Sequence, residues 1–464
     1  MPTVSRTLRD DALAIWQAGV NAVHSDRLVQ DAVRVDGGQL IVGDLCLPLA
    51  GIGRILVVGC GKAGAGMAAG LEAALGERLM EEKRLTGWIN VPDDCVCGPG
   101  DGMKSLPTTR IHLHGARPAG VNEPTPQGAA GAEHILQLVQ SLATNDLCLC
   151  LISGGGSALL PAPAAGITLE DKLAVTRHLS AAGANIQQLN IARKQLSRIK
   201  GGGLARACAA GRLIALIISD VLGDPLEIIA SGPTVSDPST PQQALEILDG
   251  FEARQAGVSD RVYQYLQEAA GRSASLEQAA ACNVTNLVIG NIATAVEAAG
   301  RFAERRGYLT RTVALQHLEG EAEQVGRELA AEALRMRSRG GRRCLVHGGE
   351  PTVKLAESSR RGLGGRNQQL VLAALDYLAD QCGDSAHGMA LLSGGTDGED
   401  GPTDAAGAVL DAAVLAEAAA QQPAASDYLA RNDAYHYFQP LGALIRTGPT
   451  HTNVCDLRVV LTEA

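Results

Sequence analysis

The sequence predicts an α/β fold made of two α/β domains with largely parallel sheets. Three observations lead to this prediction. The chain has 464 residues, of which 46% are hydrophobic and 19% charged, so it can form packed cores in more than one domain. Six short apolar runs each end in a turn that contains glycine. Helical patterns lie between the runs, and strand, turn and helix in alternation are typical of α/β proteins.

Three of the apolar runs lie in the first half of the chain. They are residues 55–58 before the turn 59–64, residues 147–152 before 153–157, and residues 213–219 before 220–224. The runs are almost entirely apolar, as expected of parallel strands that are buried on both faces. A helical pattern over 65–79 follows the first turn, and residues 87–91 are the expected second strand.

The second half of the chain repeats this pattern. Its apolar runs are residues 287–289 before the turn 290–291, residues 344–347 before 348–350, and residues 389–392 before 393–398, and its helical patterns are 294–305, 321–337 and 367–378. Ligands of such sheets bind beyond the carboxyl ends of the strands, where glycine lets backbone N–H groups face an anion. Any single turn is equally well explained as a tight turn, but six of them predict an active site in a cleft between the domains.

Turn-forming residues and prolines concentrate at 231–241, between the two halves. We therefore predict a first domain over residues 1–241 and a second over residues 242–464. The segment 242–281 is a mostly helical connector that the pattern assigns to neither half. The segment 91–127 contains six prolines and is expected to be an irregular surface excursion of the first domain.

Composition and charge exclude several functions. Forty basic and fifty acidic residues give a formal charge of −10, which opposes binding to a phosphate backbone. The chain has only 2 Trp, 7 Tyr and 3 Phe, too few for a surface that stacks bases. The paired cysteines, Cys95 with Cys97 and Cys148 with Cys150, have C-x-C rather than C-x-x-C spacing and are interpreted as structural thiols.

The expected compartment is the cytoplasm. Residues 1–23 read as an amphipathic helix, carry Asp10 and Asp11, and lack the apolar core of an export signal. The apolar runs are far shorter than a membrane-spanning helix. We expect no nucleic-acid or membrane partner, while a homo-oligomer is compatible with the sequence.

The turn at 59–64 has the spacing Gly-x-Gly-x-x-Gly between a strand and a helix. This is the dinucleotide-binding fingerprint, and it makes the first domain Rossmann-like. The fingerprint also needs an acidic residue about twenty positions on, at the end of the second strand. The run 87–91 instead ends in Pro92, and Asp93 lies too far along the chain. Lys62, inside the turn, suits a phosphoryl group or a carboxylate.

Charged residues accompany several other glycine turns. The segment 190–203 places four cations before three successive glycines, Asp220 follows a predicted strand, Arg366 opens a helix after a glycine turn, and 396–404 is an acidic turn. Each feature alone equally fits a solvated surface. Cations and carboxylates on successive turns favour phosphoryl transfer, because that chemistry mainly needs positioning, Mg²⁺ and charge neutralisation.

Eight motifs, in this order, resemble the class II glycerate 2-kinases, whose carboxy-terminal portion is called the MOFRL domain. The motifs lie at 59–63, 152–157, 193–202, 219–224, 231–234, 348–352, 364–368 and 395–398. The resemblance covers nearly the whole chain. It implies transfer of the γ-phosphoryl group of ATP, with Mg²⁺, to the 2-hydroxyl of D-glycerate, giving 2-phosphoglycerate and ADP.

The resemblance also implies site residues. Lys62, Arg366 and Asp397 match the positions considered catalytic. Lys62 and Arg366 would neutralise the transferring group or bind the glycerate carboxylate, and Asp397 would be either the base near the 2-hydroxyl or a Mg²⁺ ligand. Asp220 is a second candidate ligand of the metal. Contacts to substrate or nucleotide phosphates are expected from Gly61, Gly154, Gly155, Gly156, Ser157, Arg193, Gly348, Gly349 and Glu350.

Two other functions stay open at this point. An NAD(P)H-dependent hydroxypyruvate reductase would use the turn 59–64, but the missing acidic residue for the ribose argues against it. A non-catalytic module that binds small phosphorylated acids would explain the glycine turns but leaves the acidic turn around Asp397 without a purpose.

Overall fold

The computed structural model describes residues 7–96, 110–118, 121, 123–272, 282–382 and 387–463. Its helices are α1 (Leu8–Ala22), α2 (Ser25–Ala32), α3 (Gly64–Glu82), α4 (Pro126–Gln140), α5 (Gly156–Leu159), α6 (Leu169–Ala181), α7 (Ile186–Gln195), α8 (Gly203–Ala207), α9 (Pro241–Gly250), α10 (Asp260–Arg272), α11 (Ile292–Arg305), α12 (Ala322–Ser338), α13 (Arg366–Cys382), α14 (Ala412–Ala418), α15 (Ala425–Leu429) and α16 (Ala434–Phe438).

The strands are β1 (Val33–Asp36), β2 (Gln39–Val42), β3 (Leu45–Pro48), β4 (Ile55–Cys60), β5 (Thr86–Pro92), β6 (Ile111–Arg117), β7 (Leu147–Ile152), β8 (Arg212–Ile218), β9 (Asn283–Gly290), β10 (Leu309–Ala314), β11 (Arg343–Gly349), β12 (Met389–Gly395), β13 (Gly407–Asp411), β14 (Leu444–Ile445) and β15 (Asp456–Thr462). The six apolar runs correspond to β4, β7, β8, β9, β11 and β12. The predicted helices correspond to α3 and α11 to α13, which confirms the α/β class.

The chain forms two compact units. The first unit comprises Ser25–Ile218 and Pro225–Ile289, and the second comprises Met1–His24, Ser219–Asp224 and Gly290–Ala464. This division differs from the single boundary predicted near residue 241. The chain passes between the units several times, and a local cluster of turn formers carries no information about such crossings.

The first unit contains a six-stranded sheet in the order β6-β5-β4-β7-β8-β9. The four neighbouring pairs from β6 to β8 are parallel, and every residue of β4 and β7 is buried. Counted from β4, this is the strand order of a doubly wound dinucleotide-binding sheet. The Rossmann-like first domain is therefore confirmed. A small antiparallel sheet of β1, β2 and β3 precedes it along the chain.

The predicted helical connector packs in the first unit. Helices α9 and α10 form a core with α6 and α7, in which Leu248 and Val262 meet Leu179 and Leu196. Strand β9, which follows, takes the edge position beside β8 rather than beginning the second sheet. Apolar burial against helices earlier in the chain thus decides where this segment belongs.

The second unit has a mixed sheet in the order β10-β11-β15-β12-β13-β14. Strands β10 and β11 are parallel, but β15 enters between β11 and β12 and runs antiparallel to both. The largely parallel arrangement predicted for this half is therefore corrected. A fully buried strand has the same continuous apolar pattern in either direction, so the sequence of β15 does not reveal its orientation.

Helix α1, the predicted amphipathic helix, packs in the second unit. The Trp16 side chain is 1% exposed, and its indole N–H donates to the Gly394 carbonyl at 3.3 Å. Asp11, also on α1, pairs with Arg306 and, at 3.0 Å, with Arg342. Among the described residues, none of the helices is long and apolar enough to cross a membrane. Every cysteine whose side chain is described is a free thiol, and Cys97 lies outside the described residues.

We expect the Trp16→Ala variant to lower the free energy of unfolding of the second unit by about 3–5 kcal/mol, because the change leaves a large cavity between α1 and β12. Urea denaturation followed by circular dichroism measures this effect. The matched control is Gln17→Ala on the exposed face of the same helix, which should change the value by less than about 0.5 kcal/mol. Equal midpoints for the two variants would contradict the packing role of α1.

Candidate functional site

The order of strands reverses between β4 and β7 in the centre of the first sheet. Crossover connections leave in opposite directions from this point, so a crevice forms beyond the carboxyl ends of the two strands. The glycine turns 59–64 and 153–157 follow these two strands. The first sheet thus brings together two of the turns from which a ligand site was predicted.

The two turns are hydrogen-bonded to each other. The Lys62 backbone N–H donates to the Gly154 carbonyl at 2.9 Å, and the Ala63 N–H donates to Ser153 Oγ at 3.0 Å. Gly61 has a φ of 136°, and a side chain there would collide with Ser153. Glycine at position 61 is therefore needed to join the turns, and the position of Lys62 follows from this contact.

Gly155 lets two cations approach the second turn. Its φ of 76° is left-handed, and a Cβ atom there would lie 3.3 Å from the Arg117 guanidinium and 3.5 Å from Lys62 Cγ. A larger residue would therefore be strained and would crowd both side chains. Lys62 lies beside this turn, as the sequence predicts, whereas Arg117 is a buried cation that is not among the predicted site residues.

Ser157 is the last residue of the same turn, and several polar groups contact it. Lys200 Nζ lies 2.6 Å from Ser157 Oγ and 2.7 Å from its carbonyl oxygen, and Arg193 donates to the same Oγ. The Ser231 hydroxyl is 2.9 Å from Ser157 Oγ. Ser157 and Arg193 were predicted as site residues. Lys200 and Ser231 were not, although they lie in the glycine-rich motifs 193–202 and 231–234.

The second unit has a separate polar cluster at one end of its sheet. Strand β15 is antiparallel to its neighbours. Its first residue, Asp456, therefore pairs with Gly349 at the end of β11 and with Gly395 at the end of β12. Asp456 is not among the site residues predicted from the sequence. The sequence shows only an acidic residue directly before an apolar run. This pattern places a carboxylate at the site only if β15 is known to run antiparallel to its neighbours.

Arg366, the first residue of α13, is held by two carboxylates. Its Nε and Nη2 atoms donate to the two oxygens of Asp456 at 2.7 and 3.1 Å, and Nη1 donates to Glu350 at 2.7 Å. Burial opposes the charge of Arg366, but Asp456 and Glu350 outweigh that effect and raise its pKa. Glu350 is also largely buried, and this burial raises its pKa, although the positive charge of Arg366 acts to lower it. Arg366 is thus a fixed cation.

Asp400 holds the start of α13 in place. One carboxylate oxygen accepts the Asn367 backbone N–H at 2.9 Å and the other accepts that of Gln368 at 2.8 Å. Complete burial raises the pKa of Asp400 to about 7, although these two N–H groups favour its charged form. Since Arg366 immediately precedes the two capped residues, Asp400 also positions the guanidinium.

Asp397 lies on the turn after β12 and is partly exposed. The Asp397 Oδ1 atom accepts a hydrogen bond from the Glu399 backbone N–H at 3.1 Å. The negative charge of Asp397 contributes to raising the pKa of Glu350, which indicates that the two carboxylates are close. Cys455 Sγ lies 3.1 Å from the Asp220 carbonyl oxygen and 3.9 Å from Glu350. The second unit therefore brings the predicted residues Asp220, Glu350, Arg366 and Asp397 into one region.

Three of the predicted contacts have a second explanation in the fold. Gly348 and Gly349 pair with β15, and a Cβ atom at Gly348 would collide with Ile292 on α11. The Glu350 carboxylate is occupied by Arg366. In the described part of the chain, no group of three or more His, Cys, Asp or Glu side chains is arranged to hold a metal ion.

Comparisons with known proteins cover almost the whole chain. A family described as a domain of unknown function (DUF4147) matches residues 11–267, and the MOFRL family matches residues 343–456. The chain is 38% identical to a glycerate kinase of Danio rerio and 32% identical to a D-glycerate 2-kinase of Thermotoga maritima, each over 98% of both chains. A solved glycerate kinase structure from Thermotoga maritima is similar with a TM-score of 0.80 at 31% identity, over 98% of this chain and 99% of that chain.

The raised pKa of Asp400 predicts a specific pH dependence of stability. The folded state keeps a proton that the unfolded chain releases above the ordinary value of 3.8, so the contribution of Asp400 to stability is lost as the pH rises from about 4 to about 7. We expect Asp400→Asn to remove this contribution, up to about 1.4 kcal/mol per pH unit, from urea unfolding curves.

The matched control for this experiment is Asp404→Asn, because hydrogen bonds from Tyr435 and Arg446 lower the pKa of that exposed carboxyl. It should keep the wild-type slope between about pH 5 and 7. Unfolding free energies of wild type and Asp400→Asn that run parallel across this range would show that Asp400 does not carry the proton.

Proposed function

The chain belongs to the glycerate kinase family, and from this premise we propose that it transfers the γ-phosphoryl group of ATP to the 2-hydroxyl of D-glycerate, with Mg²⁺, to give 2-phosphoglycerate and ADP. The observation that carries the proposal is the pair of joined glycine turns with Lys62 at the reversal of strand order in the first sheet. This is where doubly wound sheets bind phosphates.

The first unit supplies the phosphate contacts in this proposal. Lys62 neutralises charge on the transferring group. The backbone of the turns at Gly61, Gly154, Gly155 and Gly156 contacts the phosphates, and Ser157 and Arg193 contact them through their side chains. A fixed cation beside side-chain-free turns supports this assignment, because phosphoryl transfer depends on positioning and charge neutralisation.

The second unit supplies an arginine and several carboxylates. Asp456 and Glu350 orient Arg366, so the guanidinium can bind the glycerate carboxylate or the phosphoryl group without losing side-chain freedom at that moment. Gly348 and Gly349 contribute backbone contacts at the end of β11. Asp397 serves as the base at the 2-hydroxyl or as a ligand of Mg²⁺.

The donor set of the second unit suits Mg²⁺. The ion commonly takes one or two protein carboxylates and completes its coordination with phosphate and water oxygens, so it does not require a cluster of three acidic residues. Asp397 and Asp220 are the carboxylates that would hold it. When bound, Mg²⁺ neutralises charge on the nucleotide phosphates.

A direct assay tests the reaction. Purified protein is incubated with D-glycerate, ATP and Mg²⁺, and ADP and both phosphoglycerates are quantified. A parallel reaction contains hydroxypyruvate and NADH. We expect ADP and 2-phosphoglycerate in equal amounts. Oxidation of NADH without formation of ADP would instead show that the protein is a hydroxypyruvate reductase. The absence of both reactions would favour the non-catalytic binding module.

We expect Lys62→Met and Asp397→Asn to lower kcat by about 100-fold or more, because each removes a charged group from the transition state. Their unfolding midpoints should match wild type. The control is Glu399→Gln, an exposed carboxylate two residues from Asp397, which should keep kcat within about twofold. Wild-type turnover in Lys62→Met or Asp397→Asn would remove that residue from the catalytic set.

The two roles of Asp397 differ in their response to magnesium. If Asp397 is a ligand, the Asp397→Asn variant should need a higher Mg²⁺ concentration for half-maximal rate and should recover turnover when more of the ion is added. If Asp397 is the base, kcat should stay low at saturating Mg²⁺ and lose the acidic limb of its pH profile.

A further inference from the structure

Two cations, Arg193 and Lys200, contact Ser157 in the first unit, and Lys172 lies near them. Lys172 lies on α6, Arg193 lies on α7, and Lys200 precedes α8. Lys172 and Lys200 are only 7% and 3% exposed. Lysine is rarely buried to this degree without an oppositely charged partner, because transfer of a charge out of water costs much more than it does for a neutral side chain.

The hydrogen bonds described for these cations are to neutral groups. Lys200 contacts Ser157 and, at 3.3 Å, the Ser231 hydroxyl; Lys172 donates to the Leu196 carbonyl at 2.9 Å. In the described parts of the chain, no carboxylate pairs with Lys172, Arg193 or Lys200. Lys194, on the same segment, shows the ordinary arrangement, since it pairs with Asp237 at 3.2 Å.

Burial and mutual repulsion lower the pKa values of the lysines in this cluster. Burial, then repulsion from Arg193 and Lys172, lowers the pKa of Lys200 well below its usual value. Burial and Arg193 lower the pKa of Lys172 to about 7. The other groups that face Lys200 are Lys194, which Asp237 neutralises, and the buried Cys60 thiol, whose pKa burial raises to about 12.

The backbone beside this cluster is strained. Ala230, Ser231 and Gly232 have successive φ values of 50°, 63° and 62°, and the first two are not glycine. The Gly201 and Gly202 N–H groups hold this turn by donating to the Ser231 and Gly232 carbonyls at 3.0 and 2.7 Å. Such strain persists where surrounding contacts enforce it, and it concentrates at ligand sites. Here it brings the Ser231 hydroxyl to Ser157.

We propose that Ser157, Ser231, Arg193 and Lys200 form one oxyanion-binding site that takes a carboxylate or phosphate group of a reactant. The Ser231 hydroxyl and two cations converge on the Ser157 hydroxyl, and a bound oxyanion would supply a negative charge that no described residue provides there. The identification of the anion with a reactant rests on the proposed function, whereas the binding of an oxyanion does not.

Anion binding at this site is coupled to protonation. A negative charge beside Lys200 stabilises its ammonium form, so binding takes up a proton and the affinity falls as the pH rises. Lys172 contributes in the same direction. Inorganic sulfate is the appropriate probe, because its own charge is constant between roughly pH 6 and 9.

Isothermal titration calorimetry with sulfate, in two buffers of different ionisation enthalpy, measures both affinity and proton uptake. Wild type should bind sulfate with uptake of a proton and with weaker affinity at higher pH. Lys200→Met should weaken binding by about tenfold or more and abolish its share of the proton uptake. The matched control, Arg198→Gln, removes an exposed cation two residues away and should bind like wild type.

The unfolding midpoint without sulfate separates binding from a structural role. If Lys200 serves to bind an anion, replacing this buried charge, for which the described residues offer no carboxylate, by methionine leaves the unfolding midpoint unchanged or raises it. A lower midpoint together with unaltered sulfate affinity would show that Lys200 only bridges Ser157 and Ser231, which overturns the proposal. Wild type that binds no sulfate also overturns it.

Competition identifies the source of the anion. Displacement of sulfate by D-glycerate assigns the site to a carboxylate, and displacement by ADP assigns it to phosphate groups. The outcome is independent of turnover. Sulfate binding by a protein that phosphorylates no glycerate would reject the proposed function and keep the site, whereas glycerate phosphorylation without sulfate binding would do the reverse.

Discussion

The hydrogen bond from the Lys62 N–H to the Gly154 carbonyl joins the two central turns of the first sheet, and the polar groups around them depend on it. Strands β4 and β7 are neighbours at the centre of the sheet, and the strand order reverses between them. Their turns can approach only because Gly61 has no side chain. This one backbone contact places Lys62 beside the turn that leads to Ser157.

A different constraint organises the second unit. Strand β15 runs against β11 and β12, so its first residue meets the last residues of both. Asp456 therefore becomes the buried partner of Arg366, while Asp400 fixes the helix on which Arg366 lies. If β15 ran parallel to its neighbours, its first residue would lie at the opposite end of the strands. Arg366 would then lose its bidentate carboxylate partner.

The two clusters have opposite character, although each is described within its own unit. The first has buried cations around Ser157 and Lys200, and no carboxylate among the described residues pairs with them. The second has more carboxylates than cations, around Arg366. Phosphoryl transfer needs both kinds of group, because cations bind the phosphates while carboxylates hold a metal ion or accept a proton. This chemical division supports the proposed function without any assumption about how the units are arranged.

Much of the fold and part of the site were predictable from local sequence. Continuous apolar runs ending in glycine identified the main buried strands, and the spacing of glycines around Lys62 identified the first turn, because burial on both faces and close backbone approach each leave a local pattern. Arg366 and Asp397 were found through motif resemblance. Asp456, Asp400, Lys200 and Ser231 were missed as site residues, since nothing near them in the chain indicates their partners.

The sequence by itself determined the α/β class, the positions of most buried strands and the glycine turns, because these depend on the apolar pattern and backbone freedom of neighbouring residues. Only the tertiary structure decided that β15 runs antiparallel, that α1 packs with the second unit, and that Lys200 is buried beside Ser157 with no carboxylate described as its partner. These features depend on contacts between residues far apart in the chain, and a local pattern carries no record of them.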